Sequence, residues 1–334
     1  MVVVELVDNY GRRVRDLRIS ITDRCNFRCQ YCMPAEGMQW VPRDEILTFE
    51  EIERLARLVV DRYDFNGIRL TGGEPTMRSQ LVRLVERLAA IRRPNGEPLD
   101  LAMTTNGATL AHQAIDLKEA GLGRLNISLD TLDRGRFAEI TRRDQFDKVI
   151  EGIKAAQAAG FTKLKINNVV MRGKNDDEIL DFIEFGRQNQ LNVRFIEFMP
   201  LDGDDIWNND LVVPSDEIVD QIAQRYDLVQ IDNGSDPASR YVFSDMDLEF
   251  GVIPTVTKPF CDSCDRIRLT AEGQLRNCLF SVEEYDLRKL LRSGAGDDEI
   301  YAVIERAVGD KWRGHSIGNV NFLRPKRSMS QIGG

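Results

Sequence analysis

Histidine is scarce in this sequence: His112 and His315 are the only two in 334 residues. A zinc centre of mixed cysteine and histidine ligation has little to draw on, because a structural zinc wants four protein ligands. His112 falls in a helix-like stretch and His315 well beyond the last cysteine, so both read as surface or packing residues. Long apolar runs are missing: none approaches the ~20 residues a membrane-spanning helix needs. The start, Met-Val-Val-Val-Glu-Leu, lacks the basic region, apolar core and cleavage site of a signal peptide. Positive charge is not in excess either. The formal net charge of −9 excludes a general attraction to nucleic acid or to anionic membranes. These absences predict a soluble cytoplasmic enzyme without nucleic-acid or membrane partners, in which any anionic ligand is held by a local group of Arg and Lys.

What is present is cysteine in two groups. Cys25, Cys29 and Cys32 lie within eight residues, and Cys261, Cys264 and Cys278 within eighteen. In a cytosolic chain such groups are metal or redox sites more often than disulfides. Three plus three is also awkward for structural zinc. The length allows one large α/β domain, or a barrel with a smaller appendage.

Between the cysteine groups, strand-length apolar stretches alternate with amphipathic helical ones. Strands are expected at Leu17–Ile21, Ile68–Leu70, Leu101–Met103, Leu125–Leu129, Leu164–Val170 and Val193–Phe198. Thr48 with Glu51 makes a capping box for a helix whose apolar face is Ile52, Leu55, Ala56, Val59 and Val60. Six βα units argue for a parallel sheet covered by helices and curled toward a barrel, with site residues at the carboxyl ends of the strands. After about Pro200 the pattern changes. The chain divides there into a barrel region, 1–200, and a C-terminal region, 201–334. Arg240–Ile253 reads as a hairpin, Val282–Leu291 and Asp298–Val308 as helices, and Arg324–Gly334 as a basic tail without apolar periodicity.

The motifs fall where a barrel would place them. Cys25-x-x-x-Cys29-x-x-Cys32 follows the first strand, so three thiolates in one tight loop can take three irons of a [4Fe–4S] cube and leave the fourth iron open. Thr71-Gly72-Gly73-Glu74-Pro75 follows the second strand, where glycines let backbone approach a ligand closely. Thr104, Ser128 and Met199 end the third, fourth and sixth strands. Cys261-x-x-Cys264 and Cys278 make a second three-thiol set; a second cube fits better than zinc. Beside it, Arg266 and Arg268 alternate along an extended segment and project to one side. Arg suits bidentate phosphate contacts. With Arg18, Arg69 and Lys165 on strands, these form a candidate anion pocket, although Lys163 shares the alternating face of Lys165.

The cysteine spacing, with Tyr31 before the last cysteine, and the Gly-Gly-Glu turn resemble the radical S-adenosylmethionine (SAM) superfamily. Both cysteine groups, Asp265-Arg266-Ile267-Arg268-Leu269-Thr270 and the terminal Met329-Ser330-Gln331-Ile332-Gly333-Gly334 resemble, over nearly the whole chain, its GTP 3′,8-cyclase family. That resemblance implies an incomplete (β/α)6 TIM-type barrel closed by a C-terminal region that carries the second iron–sulfur cluster. It implies two [4Fe–4S] clusters on the six cysteines and SAM on Tyr31, Gly73, Ser128 and Met199. GTP would meet Arg18, Arg69, Thr104, Lys165, Arg266, Ile267 and Arg268. Arg266, Arg268, Gly333 and Gly334 would act in catalysis. The implied reaction is hydrogen abstraction from C3′ of GTP by a 5′-deoxyadenosyl radical, attack of the C3′ radical on C8 of guanine, and then one-electron reduction and protonation of the resulting radical to (8S)-3′,8-cyclo-7,8-dihydroguanosine 5′-triphosphate. This is the first step of molybdenum cofactor biosynthesis. A homodimer, an external electron donor and delivery of the product to cyclic pyranopterin monophosphate synthase complete what the family implies. A peptide-modifying radical SAM enzyme is the nearest alternative; a ferredoxin-like carrier or a zinc module comes from other classes.

Overall fold

Strand alternation builds the sheet. In β1 (Asp16–Ser20), Leu17 and Ile19 are buried in the main core, while Asp16 and Arg18 project from the opposite face. The same two-faced pattern runs through β5 (Leu164–Val170), where Leu164, Ile166 and Val170 are core residues and Lys165, Asn167 and Val169 are half-buried. One face therefore packs on helices and the other lines the inside of a curled sheet.

The computed structural model describes residues 3–234, 236–317 and 322–333. Its other strands are β2 (Gly67–Thr71), β3 (Asp100–Thr105), β4 (Arg124–Ser128), β6 (Asn192–Glu197), β7 (Leu228–Ile231), β8 (Ser239–Phe243), β9 (Met246–Ile253), β10 (Arg266–Leu269), β11 (Gln274–Arg276) and β12 (Tyr285–Asp286). All join one mixed sheet, in the order β12-β11-β10-β1-β2-β3-β4-β5-β6-β9-β8-β7. From β1 to β6 each strand pairs in parallel with the next, and helices such as Phe49–Tyr63, Leu81–Ala89, Phe146–Ala158 and Ile179–Asn189 fill the crossovers. The six expected strands are all present, with bounds within two residues of those read from the sequence. The capping box at the first helix is formed: Thr48 Oγ1 accepts from Glu51 N at 3.2 Å, and Thr48 N donates to Glu51 Oε2 at 2.7 Å.

The region after Pro200 extends this sheet at both edges. The hairpin β8–β9 lays Phe250–Ile253 parallel to β6. At the other edge β10 lies parallel to β1, and β11 and β12 follow antiparallel. A partial barrel of six parallel strands is thus lengthened to eight by strands from the second half of the chain. The 200/201 boundary falls in the loop after β6, and the sheet itself runs across it.

Two expectations change. Val282–Leu291 is not one helix: Tyr285 pairs with Leu275 on β11, and the helix starts only at Leu287. Asp286 sets that start, because its Oδ1 accepts from Lys289 N at 2.9 Å, the N-cap bond that satisfies a free helix donor. The basic tail carries one helical turn, Met329–Ile332, whose Ile332 is fully buried. A single turn is too short to show an apolar period. Among the described residues, no helix is long and apolar enough to cross a membrane.

Candidate functional site

The interior face of the sheet encloses a cavity of about 790 Å³. Strand direction orders it. Cys25, Cys29 and Cys32 follow the carboxyl end of β1, whereas Cys264 lies just before the amino end of the parallel strand β10. The two thiol groups therefore stand at opposite ends of the barrel. The cavity runs between them, from Cys25, Cys29 and Cys32 to Phe260 and Asp265 beside the second group.

The first thiol loop is held by the Gly-Gly turn. Gly73 N donates to Thr22 O at 2.7 Å, and Glu74 N to Arg24 O at 2.8 Å. A Cβ on Gly73 would lie 2.4 Å from Arg24 O, and one on Gly72 would lie 2.6 Å from Thr22 O. Only glycine fits, because any side chain would overlap the backbone of the cysteine loop. Glu74 is buried and accepts from Thr105 Oγ1, Thr76 Oγ1 and Asn106 N at 2.6, 2.6 and 2.7 Å. It ties the ends of β2 and β3 together beneath Cys25. Gly73→Ala is expected to displace the 22–25 backbone and lower iron retention at the first thiol group, with the second group unaffected. Iron analysis of the reconstituted variant checks this, and full iron content would contradict it.

Burial raises all three thiols of this group. Cys25 is pushed up to about 11, with the Glu74 carboxylate adding to the burial, and Cys32 to about 12, with Cys25 adding. Cys29 rises well above the usual thiol value through burial and its neighbours Cys32 and Asp130. Three buried thiols become thiolates together only when cationic metal neutralises them. Among the described residues no group of three or more His, Cys, Asp or Glu is placed to hold a single metal ion. A four-iron cube has a different requirement, thiols arrayed around it that each take one iron. The loop, its three thiols and the glycine cradle fit that group.

The four residues expected to hold SAM all line the cavity: Tyr31, Gly73, Ser128 and Met199. Tyr31 is fixed by its hydroxyl, which donates to Asp130 Oδ2 at 2.7 Å, while Asp130 Oδ1 accepts from Val169 N at 2.9 Å. Burial pushes Asp130 up to about 6.

The arginines form a row across neighbouring strands. Arg268 on β10 is in register with Arg18 on β1, which is in register with Arg69 on β2. Thr104, Arg18, Arg69, Arg266 and Arg268 line the cavity. Burial, then repulsion from Arg268, Arg266 and Arg69, holds Arg18 well below the usual arginine value. Burial first, and neighbouring guanidinium groups after it, lower Arg69 and Arg268 to about 10. Arg18 Nε and Arg69 Nε and Nη1 are buried without a hydrogen-bond partner, and Asp16 stands 3.9 Å from Arg18 as the only carboxylate paired with it among the described residues. Buried donors left unpaired are costly. A polyanion would satisfy them.

Other expected residues are placed differently. Ile267 is fully buried in the core, because alternation turns it to the face opposite Arg266 and Arg268, so its side chain does not reach the cavity. Lys165 is interior, as Lys163 is not, yet it sits 3.7 Å from Glu249 and outside the cavity lining. Burial and Arg194 lower it to about 8. The carbonyl of Gly333 accepts from Arg268 Nη1 at 2.9 Å, which brings the tail into the barrel mouth. Gly333 has φ +82°, and a Cβ there would meet Thr71 Oγ1 at 2.7 Å and Ser20 Cβ at 2.8 Å. Gly334 lies outside the described residues.

Cys261, Cys264 and Cys278 are half-buried on the turn before β10 and just after β11. Burial, with Cys278 and Cys264 adding to it, pushes the Cys261 thiol up. His315 contributes its backbone amide to Cys261, while its ring packs on Phe280 with centroids 5.0 Å apart. It is a packing residue, as expected. Three thiols without a histidine suit a second cube.

Reading the sequence missed the anchoring acids. Glu74, Asp130 and Glu197 all stand at carboxyl ends of strands, where acids suggest catalysis. Glu197 is instead fully buried and accepts from Ser215 N, Val256 N and Thr257 N at 2.8, 2.6 and 2.8 Å, pinning the loop that leads to Cys261. Their position is visible in the sequence, but their partners are not.

The geometry agrees with the comparisons. Residues 19–186 match the radical SAM superfamily, and residues 191–317 match the family described as Molybdenum Cofactor Synthesis C. The chain is 46% identical to the GTP 3′,8-cyclase of Rhodopirellula baltica, covering 99% of this chain and 92% of that protein. It is 45% identical to the GTP 3′,8-cyclase of Streptomyces coelicolor, over 98% and 96%. Among solved structures, SuiB of Streptococcus suis bound to S-adenosylmethionine aligns with a TM-score of 0.60 at 17% identity, over 87% of this chain and 68% of that one. This likeness shows the shared fold. A thiol triad after β1, a glycine cradle after β2 and close identity along the whole chain place this protein in the GTP 3′,8-cyclase family of the radical SAM superfamily.

Proposed function

We propose that the protein acts as a GTP 3′,8-cyclase, joining C3′ of the ribose to C8 of guanine in one GTP molecule, the first step of molybdenum cofactor biosynthesis. The observation that carries this reading is the buried arginine row with partnerless donors, set inside a cavity that begins at Cys25, Cys29 and Cys32. When bound to that triad, a [4Fe–4S] cluster with SAM supplies a carbon-centred radical able to remove the C3′ hydrogen.

The chain's own residues then have three tasks. Gly73, Ser128, Met199 and Tyr31 orient SAM over the first thiol group, with Asp130 holding the Tyr31 ring. Arg18, Arg69, Arg266 and Arg268 bind the triphosphate by charge-assisted, partly bidentate hydrogen bonds, with Thr104 beside the sugar and Lys165 behind them. Gly333, held by Arg268, closes the mouth, and Gly334 joins it in the catalytic role the family implies. Because the reaction is intramolecular, holding C3′ against the radical source and keeping water out are the largest contributions that protein can make. Cys261, Cys264 and Cys278 hold a second [4Fe–4S] cluster at the far end, where the guanine would lie. A peptide substrate would leave the arginine row without a role.

A homodimer, a cytoplasmic setting, an external electron donor and a downstream cyclic pyranopterin monophosphate synthase belong to the same reading. Anaerobic incubation of the reconstituted protein with SAM, a reductant and GTP tests it. 5′-Deoxyadenosine and a cyclised GTP are expected in equal amounts. Absence of GTP-dependent 5′-deoxyadenosine would overturn it.

A further inference from the structure

Behind the second thiol group lies a buried ammonium. Lys311 follows the helix Asp297–Gly309 and is 4% exposed. Its Nζ donates to Arg266 O at 3.0 Å and to Asn277 O at 2.7 Å, and lies 3.6 Å from Cys264 Sγ. Asn277 precedes Cys278, and Arg266 lies two residues beyond Cys264. One side chain therefore grips the backbone next to two of the three thiols and touches the sulfur of one.

Its charge has no other evident purpose. Among the described residues, no carboxylate lies within ion-pair distance of Lys311; its partners are two neutral carbonyls and a thiol. A buried ammonium facing only neutral dipoles is costly. Opposite an anionic group it becomes favourable, and a cube held by three thiolates is anionic. Arg12 supports the same site from outside. It is paired with Asp8 at 2.5 Å, and its guanidinium donates to Cys261 O at 2.7 Å and Arg313 O at 2.8 Å. Arg12 already has its carboxylate, whereas Lys311 does not.

We propose that Lys311 is the built-in counter-charge of the Cys261, Cys264 and Cys278 site, fixing Cys264 and Cys278 and raising the reduction potential of the cluster held there. The proposal rests on the reading that these cysteines hold a second cluster. Net charge near a cluster and hydrogen bonds to its sulfurs are principal determinants of its potential. Lys311 supplies both from one atom. It acts as a positioning residue, since it touches Cys264 and does not itself line the cavity.

The test is an anaerobic redox titration of the full reconstituted chain, followed by electron paramagnetic resonance, for the parent, Lys311→Met and Lys311→Arg. The signal that SAM perturbs belongs to the first group and serves as an internal reference. In Lys311→Met the other signal is expected to shift to more negative potential with the reference unmoved, and Lys311→Arg is expected to restore most of the shift. An unchanged potential in an iron-replete Lys311→Met chain would overturn the proposal. If Lys311→Met does not load the second site, loading in Lys311→Arg supports the charge assignment. Failure of both variants to load would assign Lys311 to packing and overturn it. A parent chain with only about four irons would instead reject the second cluster itself.

Discussion

A chain carrying Cys29→Ala is expected to cleave no SAM, whereas Cys264→Ala still cleaves SAM but makes no cyclised GTP. The separation follows from strand direction: one triad follows the carboxyl end of β1, and the other precedes the amino end of its parallel neighbour β10. Among the described residues, no hydrogen bond or ion pair joins residues 25–32 to residues 261–264 or Cys278, so each loss stays local. Iron should fall from about eight to about four per chain in both variants, as expected for loss of one cube. Chromatographic assay of 5′-deoxyadenosine and of cyclised product measures both outcomes. Loss of SAM cleavage in Cys264→Ala, with the first group's iron retained, would show that the two ends are not independent.

Arg268→Ala is expected to weaken GTP binding about 10- to 100-fold, since a hydrogen bond to a charged group contributes roughly 1.5–3 kcal/mol. Two effects combine. The variant removes one cation from the row Arg268–Arg18–Arg69, and it removes the donor that holds Gly333 O. The second effect also loosens the mouth, so product formed per SAM cleaved should fall further than affinity alone requires. A lysine is not equivalent at this position: Arg268→Lys keeps the charge but loses the planar fork, and should recover affinity only in part. Equilibrium binding of GTP to the anaerobic protein, with iron content as the control, decides the matter. An unchanged affinity would remove Arg268 from the substrate site.

Much of the site is legible in the sequence because its chemistry is local. Cys25, Cys29 and Cys32 share one loop, Gly72 and Gly73 one turn, and strand alternation shows which side of a strand Arg18 or Arg266 occupies. What alternation cannot reveal is the neighbour. The family resemblance implies Ile267 beside GTP, yet the same alternation that points Arg266 and Arg268 inward buries its side chain in the core. Lys165 is expected to be available for phosphate, but Glu249, brought alongside by the second half of the chain, lies 3.7 Å away. The helix expected from Val282 starts only at Leu287 because Tyr285 is taken up in pairing with Leu275, and such a pairing leaves no trace in apolar periodicity.

The sequence alone determined that three thiols follow the first strand, that a glycine cradle follows the second and that a second triad lies beside a basic strand, because each of these is set by neighbours along the chain. Only the tertiary structure decided that Arg268 stands in register with Arg18, that Glu74 and Glu197 are anchors rather than acids in waiting, and that Lys311 lies against Cys264. Each of these depends on strands and loops far apart in sequence being laid side by side, and burial then determines which charges keep a partner and which are left for a ligand.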